Sequence, residues 1–192
     1  VDYMMHTTTN KNIIWIGHGL GAQLVGFIKN HYAIKKVIAI NSAYGFWKFF
    51  SYPQKAITWL QCCLTNPLLI KLFRNDTIKI LPNVSNLPDS ALIQWRTWSL
   101  NEYYFADSNK DILENENFTH FRSPITSFYF SDDTMANDLT VQLMTKFFPN
   151  TNYKIRKIDS ATFSESKIGN KNLFKKSNKL LLWPMILEEI EL

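Results

Sequence analysis

Short apolar runs recur along this chain, each bounded by polar or glycine-containing turns. Asn12 to Ile16 (Asn-Ile-Ile-Trp-Ile) is brief, apolar and β-branched, the make-up of a buried strand. Lys36 to Asn41 (Lys-Val-Ile-Ala-Ile-Asn) predicts a second, Pro124 to Phe130 a third, and the alternating Tyr153 to Ile158 a fourth. Between the first two, Ala22 to Asn30 predicts a helix, with Ala22, Val25 and Ile28 on one side and Leu24 and Phe27 close by. Strand, glycine-rich turn, helix and strand make a βαβ unit, so its strands should run parallel. The expected fold class is α/β, with about four parallel strands in sequential order.

The middle of the chain changes character. Tyr44 to Phe73 carries Phe46, Trp47, Phe49, Phe50, Tyr52 and Trp59, interrupted by Lys48, Lys55 and Lys71. It predicts two helices, separated near Pro53 and ending near Pro67. Two readings stand: a packed helical cap, or a membrane-surface patch, because aromatics and lysines are what an interfacial helix uses. Leu87 to Phe105, with Leu92, Trp95, Trp98 and Leu100, predicts a further helix, and the polar Asp107 to Thr119 a loop or short helix. Downstream, Met135 to Phe148 predicts a helix that stops before Pro149. Asp159 to Lys167 reads as a polar loop, and Asn178 to Ile190 as a terminal helix kinked or restarted at Pro184.

Composition narrows the classes. With 192 residues, 46% hydrophobic and 15% aromatic, the chain can bury a core and is not a disordered one. Cys62 and Cys63 are adjacent, which excludes a disulfide framework and a Cys-x-x-Cys zinc site, and no metal or cofactor is implied. No long apolar run predicts a transmembrane helix, and Val1 to Asn10 lacks the pattern of a signal peptide, so a cytoplasmic location is expected. The chain opens on Val1 and enters a strand almost at once, and so reads as a fragment. The formal charge is +5, but Arg74, Arg96, Arg122 and Arg156 lie far apart, and no nucleic-acid partner is expected.

One motif carries chemistry. Gly17-His18-Gly19-Leu20-Gly21 stands where a strand feeds a helix, the setting of a nucleophile elbow. Gly17 and Gly21 fill its flanking positions and Gly19 the central one, which has no side chain with which to attack. His18 beside it should point toward a neighbouring loop. Ser42 follows the second strand without a base in view, His6, His31 and His120 are isolated, and Ser164 and Ser166 suit turn hydrogen bonds.

The motif resembles the Gly-His-Ser-x-Gly-Gly elbow of the α/β-hydrolases, of the kind found in bacterial predicted hydrolases related to serine aminopeptidases. The resemblance extends through Leu87-Pro88 and Gln94-Trp95-Arg96-Thr97-Trp98 to Phe130-Ser131-Asp132-Asp133-Thr134-Met135-Ala136, similar to a strand-end acid. It ends at Ile168-Gly169-Asn170-Lys171-Asn172-Leu173-Phe174-Lys175, similar to a segment bearing the catalytic histidine. It implies a partial α/β-hydrolase fold covering the C-terminal two-thirds. Residues 1–43 and 120–192 would form the core and 44–119 a helical cap insertion over the C-terminal strand ends.

A Ser–acid–His triad maps onto Gly19, Asp133 and Asn170, of which only the acid remains; Asp133 is favoured over Asp132 because Met135 and Ala136 follow it at the family spacing. The bland alternative for the Asp pair is capping of the helix that follows. Leu20 would supply one oxyanion N–H, and the second donor of the family lies in an N-terminal half that this sequence lacks. The expectation is a hydrolase homologue, acting on ester or peptide/amide bonds by ancestry and inactive as a pseudoenzyme or truncated remnant. Two alternatives remain: a binding module for an acyl or peptide ligand, and an active hydrolase with an atypical site. The first strand should leave an edge open to a missing N-terminal half or to self-association.

Overall fold

A computed structural model describes residues 1–7, 12–73, 89–105, 117–163, 167–170 and 172–191. In chain order it contains α1 (Asp2–Thr7), β1 (Ile13–His18), α2 (Leu20–Gln23) prolonged by a 3-10 turn at Leu24–Phe27, a 3-10 turn at His31–Ala33 and β2 (Ile34–Ile40). A 3-10 turn at Trp47–Phe49, α3 (Gln54–Leu60), π-helix at Gln61–Thr65, α4 (Asn66–Phe73) and α5 (Asp89–Leu100) follow. The last part holds β3 (Ile125–Phe130), α6 (Asp138–Met144) with a 3-10 turn at Thr145–Phe147, β4 (Tyr153–Ile158), α7 (Ser160–Phe163), 3-10 turns at Asn172–Phe174 and Lys176–Asn178, and α8 (Lys179–Glu191). These elements divide between two compact units, Val1–Tyr44 with Lys110–Leu192, and Gly45–Asn109.

The first unit is built on one sheet, order β1-β2-β3-β4, with every neighbouring pair parallel. This is the topology expected from the apolar runs. Central β3 is buried at all six positions, as a strand covered on both faces must be. In β4, Lys154, Arg156 and Lys157 lie exposed on an outer strand, where charge discourages pairing with another chain. On one face Ile38, Ile40, Phe128, Phe130 and Ile158 pack with Ile168 and Leu173 and against Met185, Ile186 and Ile190 of α8. On the other, Ala43, Tyr129, Ala136 and Val141 form a smaller cluster.

Glu189 fixes α8 to the sheet. Its carboxylate is buried, pairs with Lys36 at 3.2 Å and with Arg156, and accepts from Thr126 Oγ1 at 3.0 Å. Burial pushes this carboxyl up, but the Lys36 and Thr126 hydrogen bonds and the Arg156 charge outweigh it and hold it below its ordinary range.

Several helices differ from their sequence pattern. The helix expected over 22–30 ends at Phe27, because Asn117 binds the carbonyls of Gly26 and Ile28 and Ile28 turns extended. The helix expected from Met135 begins only at Asp138. Asn137 is its N-cap, in a capping box with Thr140, so the Asp pair does not cap it. The terminal helix runs through Pro184 without a restart. The short α1 and α7 lie where only polar sequence was read.

In the second unit α3, the π-helical stretch and α4 form one continuous run. The break expected at Pro67 is absent: the widened turn just before it loosens the i→i−4 pattern in which proline cannot donate. Arg96 Nε of α5 donates to the carbonyl of Cys62 within that turn. Burial pushes the Cys62 thiol up to about 11, which leaves it unreactive. Trp98, Tyr104 and Phe105 pack together with ring centroids 4.7–6.0 Å apart. Among the described residues no helix is long and apolar enough to cross a membrane. Leu87, Pro88, Lys171, Ser164, Ser166 and most of Asp107 to Thr119 lie outside the described residues.

Candidate functional site

The C-terminal ends of β1 and β3 frame the site. After β1 the chain turns sharply at Gly19, with φ +54° and ψ −122°, and enters α2 at once. L-residues rarely adopt that backbone conformation, and it is the strained strand-to-helix turn that an elbow requires. A Cβ built on Gly19 meets nothing within 4 Å, so a side chain here would stand in open space. At Gly17, by contrast, a Cβ would lie 2.4 Å from the Ala22 backbone nitrogen, and only glycine lets β1 and α2 approach this closely. The turn is held on both sides. Gly19 N–H donates to Ile40 O of β2 at 2.8 Å, and Trp15 Nε1 donates to Gly21 O at 2.9 Å. Leu20 opens α2, so its N–H is among those for which a helix offers no internal acceptor.

After β3 come the two acids, and the fold gives them different work. Asp132 accepts from the N–H groups of Ile168 at 2.7 Å and Gly169 at 3.0 Å, and from Ser160 Oγ. It therefore clamps the loop that carries Asn170. Asp133 is buried, and its Oδ1 accepts from Met135 N at 2.8 Å and Ala136 N at 3.0 Å, closing a tight turn. Its Oδ2 is buried without a hydrogen-bond partner among the described residues. Burial raises its pKa, as does the neighbouring Asp132 charge, and these outweigh the two backbone N–H groups and His18. A buried carboxylate oxygen left open costs about 1–3 kcal/mol, and such costs concentrate at functional sites.

Asn170 is drawn to the same edge. His18 Nε2 lies 3.0 Å from Asn170 O, and the His18 ring meets Phe174 edge-on at 5.2 Å. Asn41, buried with φ +48° directly after β2, donates from Nδ2 to Gly169 O at 3.1 Å. One network thus links the residue beside Gly19, the segment carrying Asn170, and Asp132 next to Asp133.

The sequence offers Asp132 only as the alternative to Asp133 for the acid, not as a clamp on the loop carrying Asn170, and Asn41 is not legible in it as part of the site. The only sequence signals for these roles were a doubled acid and an asparagine after an apolar strand, asparagine being with aspartate the non-glycine type most often found at a positive φ. Ser42 is buried and gives a substrate no access, and His120 lies exposed. The His31 imidazole is pushed below its ordinary pKa by burial and by the nearby His120 and Arg122.

No family model matches the sequence, and no curated protein does. Solved structures do match. A mutant epoxide hydrolase from Bacillus megaterium is 12% identical with a TM-score of 0.52, over 100% of this chain and 73% of the enzyme. The monoacylglycerol lipase of Paleococcus ferrophilus is 12% identical with a TM-score of 0.51, over 99% of this chain and 72% of the lipase. A soluble variant of monoglyceride lipase from Saccharomyces cerevisiae is 12% identical with a TM-score of 0.53, over 94% of this chain. The fold is that of the α/β-hydrolases. The chain spans 62% of the yeast enzyme's length, under two-thirds. At such identities the likeness speaks of fold alone.

Beside the elbow of this α/β-hydrolase fold lies an apolar cavity of 190 Å³. Ile16 and Ile40 line it from the sheet, Leu173 and Phe174 from the loop, and Trp183 and Leu187 from α8. The Phe174 ring that touches His18 forms one wall.

Proposed function

We propose that this chain is a non-catalytic homologue of the serine hydrolases that cleave ester or amide bonds. The observation that carries this reading is the backbone of residue 19, which holds the strained conformation of a nucleophile while the residue is glycine. Acyl transfer needs an oxygen or sulfur to attack, a base to remove its proton, and an acid to orient the base. Here the acid position is Asp133, with one oxygen open, and Asn170 stands at the base position. A carboxamide cannot accept a proton near neutral pH. His18 does not replace the base, since its Nε2 is engaged by the Asn170 carbonyl.

The test is chemical. The unmodified chain should take no label from a fluorophosphonate probe and turn over no ester above a heat-killed control. Gly19→Ser alone should change little, and Gly19→Ser with Asn170→His should give weak turnover. Losing one oxyanion donor costs about 100- to 1,000-fold, and only the Leu20 N–H is assigned to that role here. Ester turnover by the unmodified chain that survives Asp133→Ala would overturn the reading.

The cavity beside the elbow favours a second reading, in which the chain binds an acyl or apolar peptide ligand without cleaving it. Saturable binding of a fluorescent fatty acid, lost in Ile16→Asp, would support that reading; no binding would remove it.

A further inference from the structure

The helical run from Gln54 to Phe73 is amphipathic in the wrong sense for water. Thr58, Cys62 and Asn66, four residues apart, are buried, whereas Ile57, Trp59, Leu60, Leu64 and Leu68 face outward. Leu64 keeps 58% of its surface open, Leu68 52% and Trp59 47%, and Tyr52 just before the run keeps 75%. A helix whose outer face meets only water shows the reverse pattern, polar outside and apolar inside. So long an apolar stripe marks a surface that something covers.

The surrounding charge says what. No Asp or Glu occurs anywhere in the sequence between Asp2 and Asp76, while Lys48, Lys55 and Lys71 stand in and around the run. Lys48 Nζ lies 5.8 and 5.9 Å from the ring centroids of Phe46 and Trp47. A second copy of the chain would bring like charges together over this face. A leaflet carrying acidic lipids complements it: aliphatic side chains enter the acyl boundary, Trp and Tyr rings sit at headgroup depth, and lysines reach the phosphates. We propose that the 54–73 face docks on an anionic lipid surface, with Trp59, Leu60, Leu64 and Leu68 inserted and Lys55 and Lys71 at the headgroups. Docking lays the helix on the membrane and does not require it to span one.

Flotation of the full chain on phosphatidylcholine vesicles, with and without phosphatidylserine, tests this. The chain should float with the acidic vesicles, weakly with the neutral ones, and less as salt rises. Leu64→Asp and Leu68→Asp should each lower partitioning about tenfold. Lys55→Gln and Lys71→Gln, which leave the apolar face intact, should each lower it about fivefold on acidic vesicles alone. Leu139→Asp, an exposed change in the other unit, should leave it unchanged. The proposal falls if the unmodified chain does not float with acidic vesicles. It also falls if the leucine and lysine variants bind as well as the unmodified chain, or if the leucine variants abolish self-association in solution and leave flotation intact.

Discussion

Two residues of the site carry opposed local costs, and each can be measured. Gly19 relieves backbone strain that any side chain would restore. Because a Cβ there meets no neighbour, Gly19→Ser should destabilise the chain through the backbone alone, by about 1–3 kcal/mol, read as a lowered urea midpoint with an unchanged slope. Asp133 bears a burial cost that grows with its charge. Its carboxyl is raised above its ordinary 3.8, so the fold favours the protonated form. Stability from this group is fully present below pH of about 4 and is lost as pH rises through the folded pKa. Asp133→Asn keeps the acceptor for the 135 and 136 amides and removes the charge. Its stability relative to the unmodified chain should therefore rise as pH climbs above about 4, measured by chemical unfolding at each pH. A difference that is flat with pH would mean the carboxyl is not perturbed.

Among the elements, α8 shows how a single buried charge can anchor a helix. Glu189 holds Lys36 and Arg156 and accepts from Thr126, so one residue ties α8 to β2, β3 and β4. Its carboxyl is held below its ordinary 4.5, which gives the opposite sign from Asp133. The stabilisation is present above pH of about 4.5 and is lost as pH falls through the folded value. Glu189→Gln should cost about 1–3 kcal/mol near neutrality and progressively less in acid, seen as melting curves that converge with those of the unmodified chain. The strands were legible because each is a compact apolar run. The helix limits were not, since partners remote in sequence set them: Asn117 ends the turn after α2, and the Asp133 turn delays α6.

At the scale of the molecule, the outer edge of β1 pairs with no strand among the described residues. Ile16 on that strand is exposed, without the charges that guard β4 at the opposite edge. An apolar edge of this kind is a template for another strand. The chain should therefore associate as its concentration rises, and Ile16→Lys should suppress that association in sedimentation velocity. Unchanged sedimentation in the variant would place the contact elsewhere.

By itself the sequence determined the βαβ start, the parallel sheet and its strand order, because hydrophobic period and glycine placement are local signals that act through the chain's own geometry. It also put a glycine in the strand-to-helix turn after β1 and a doubled acid after β3. Only the tertiary structure divided the labour between Asp132 and Asp133, brought Asn41 and His18 onto the 168–170 loop, and turned the apolar side of the 54–73 helix outward. Hydrogen-bond partners and burial are properties of what folds against a residue, and that is set by segments tens to more than a hundred positions away.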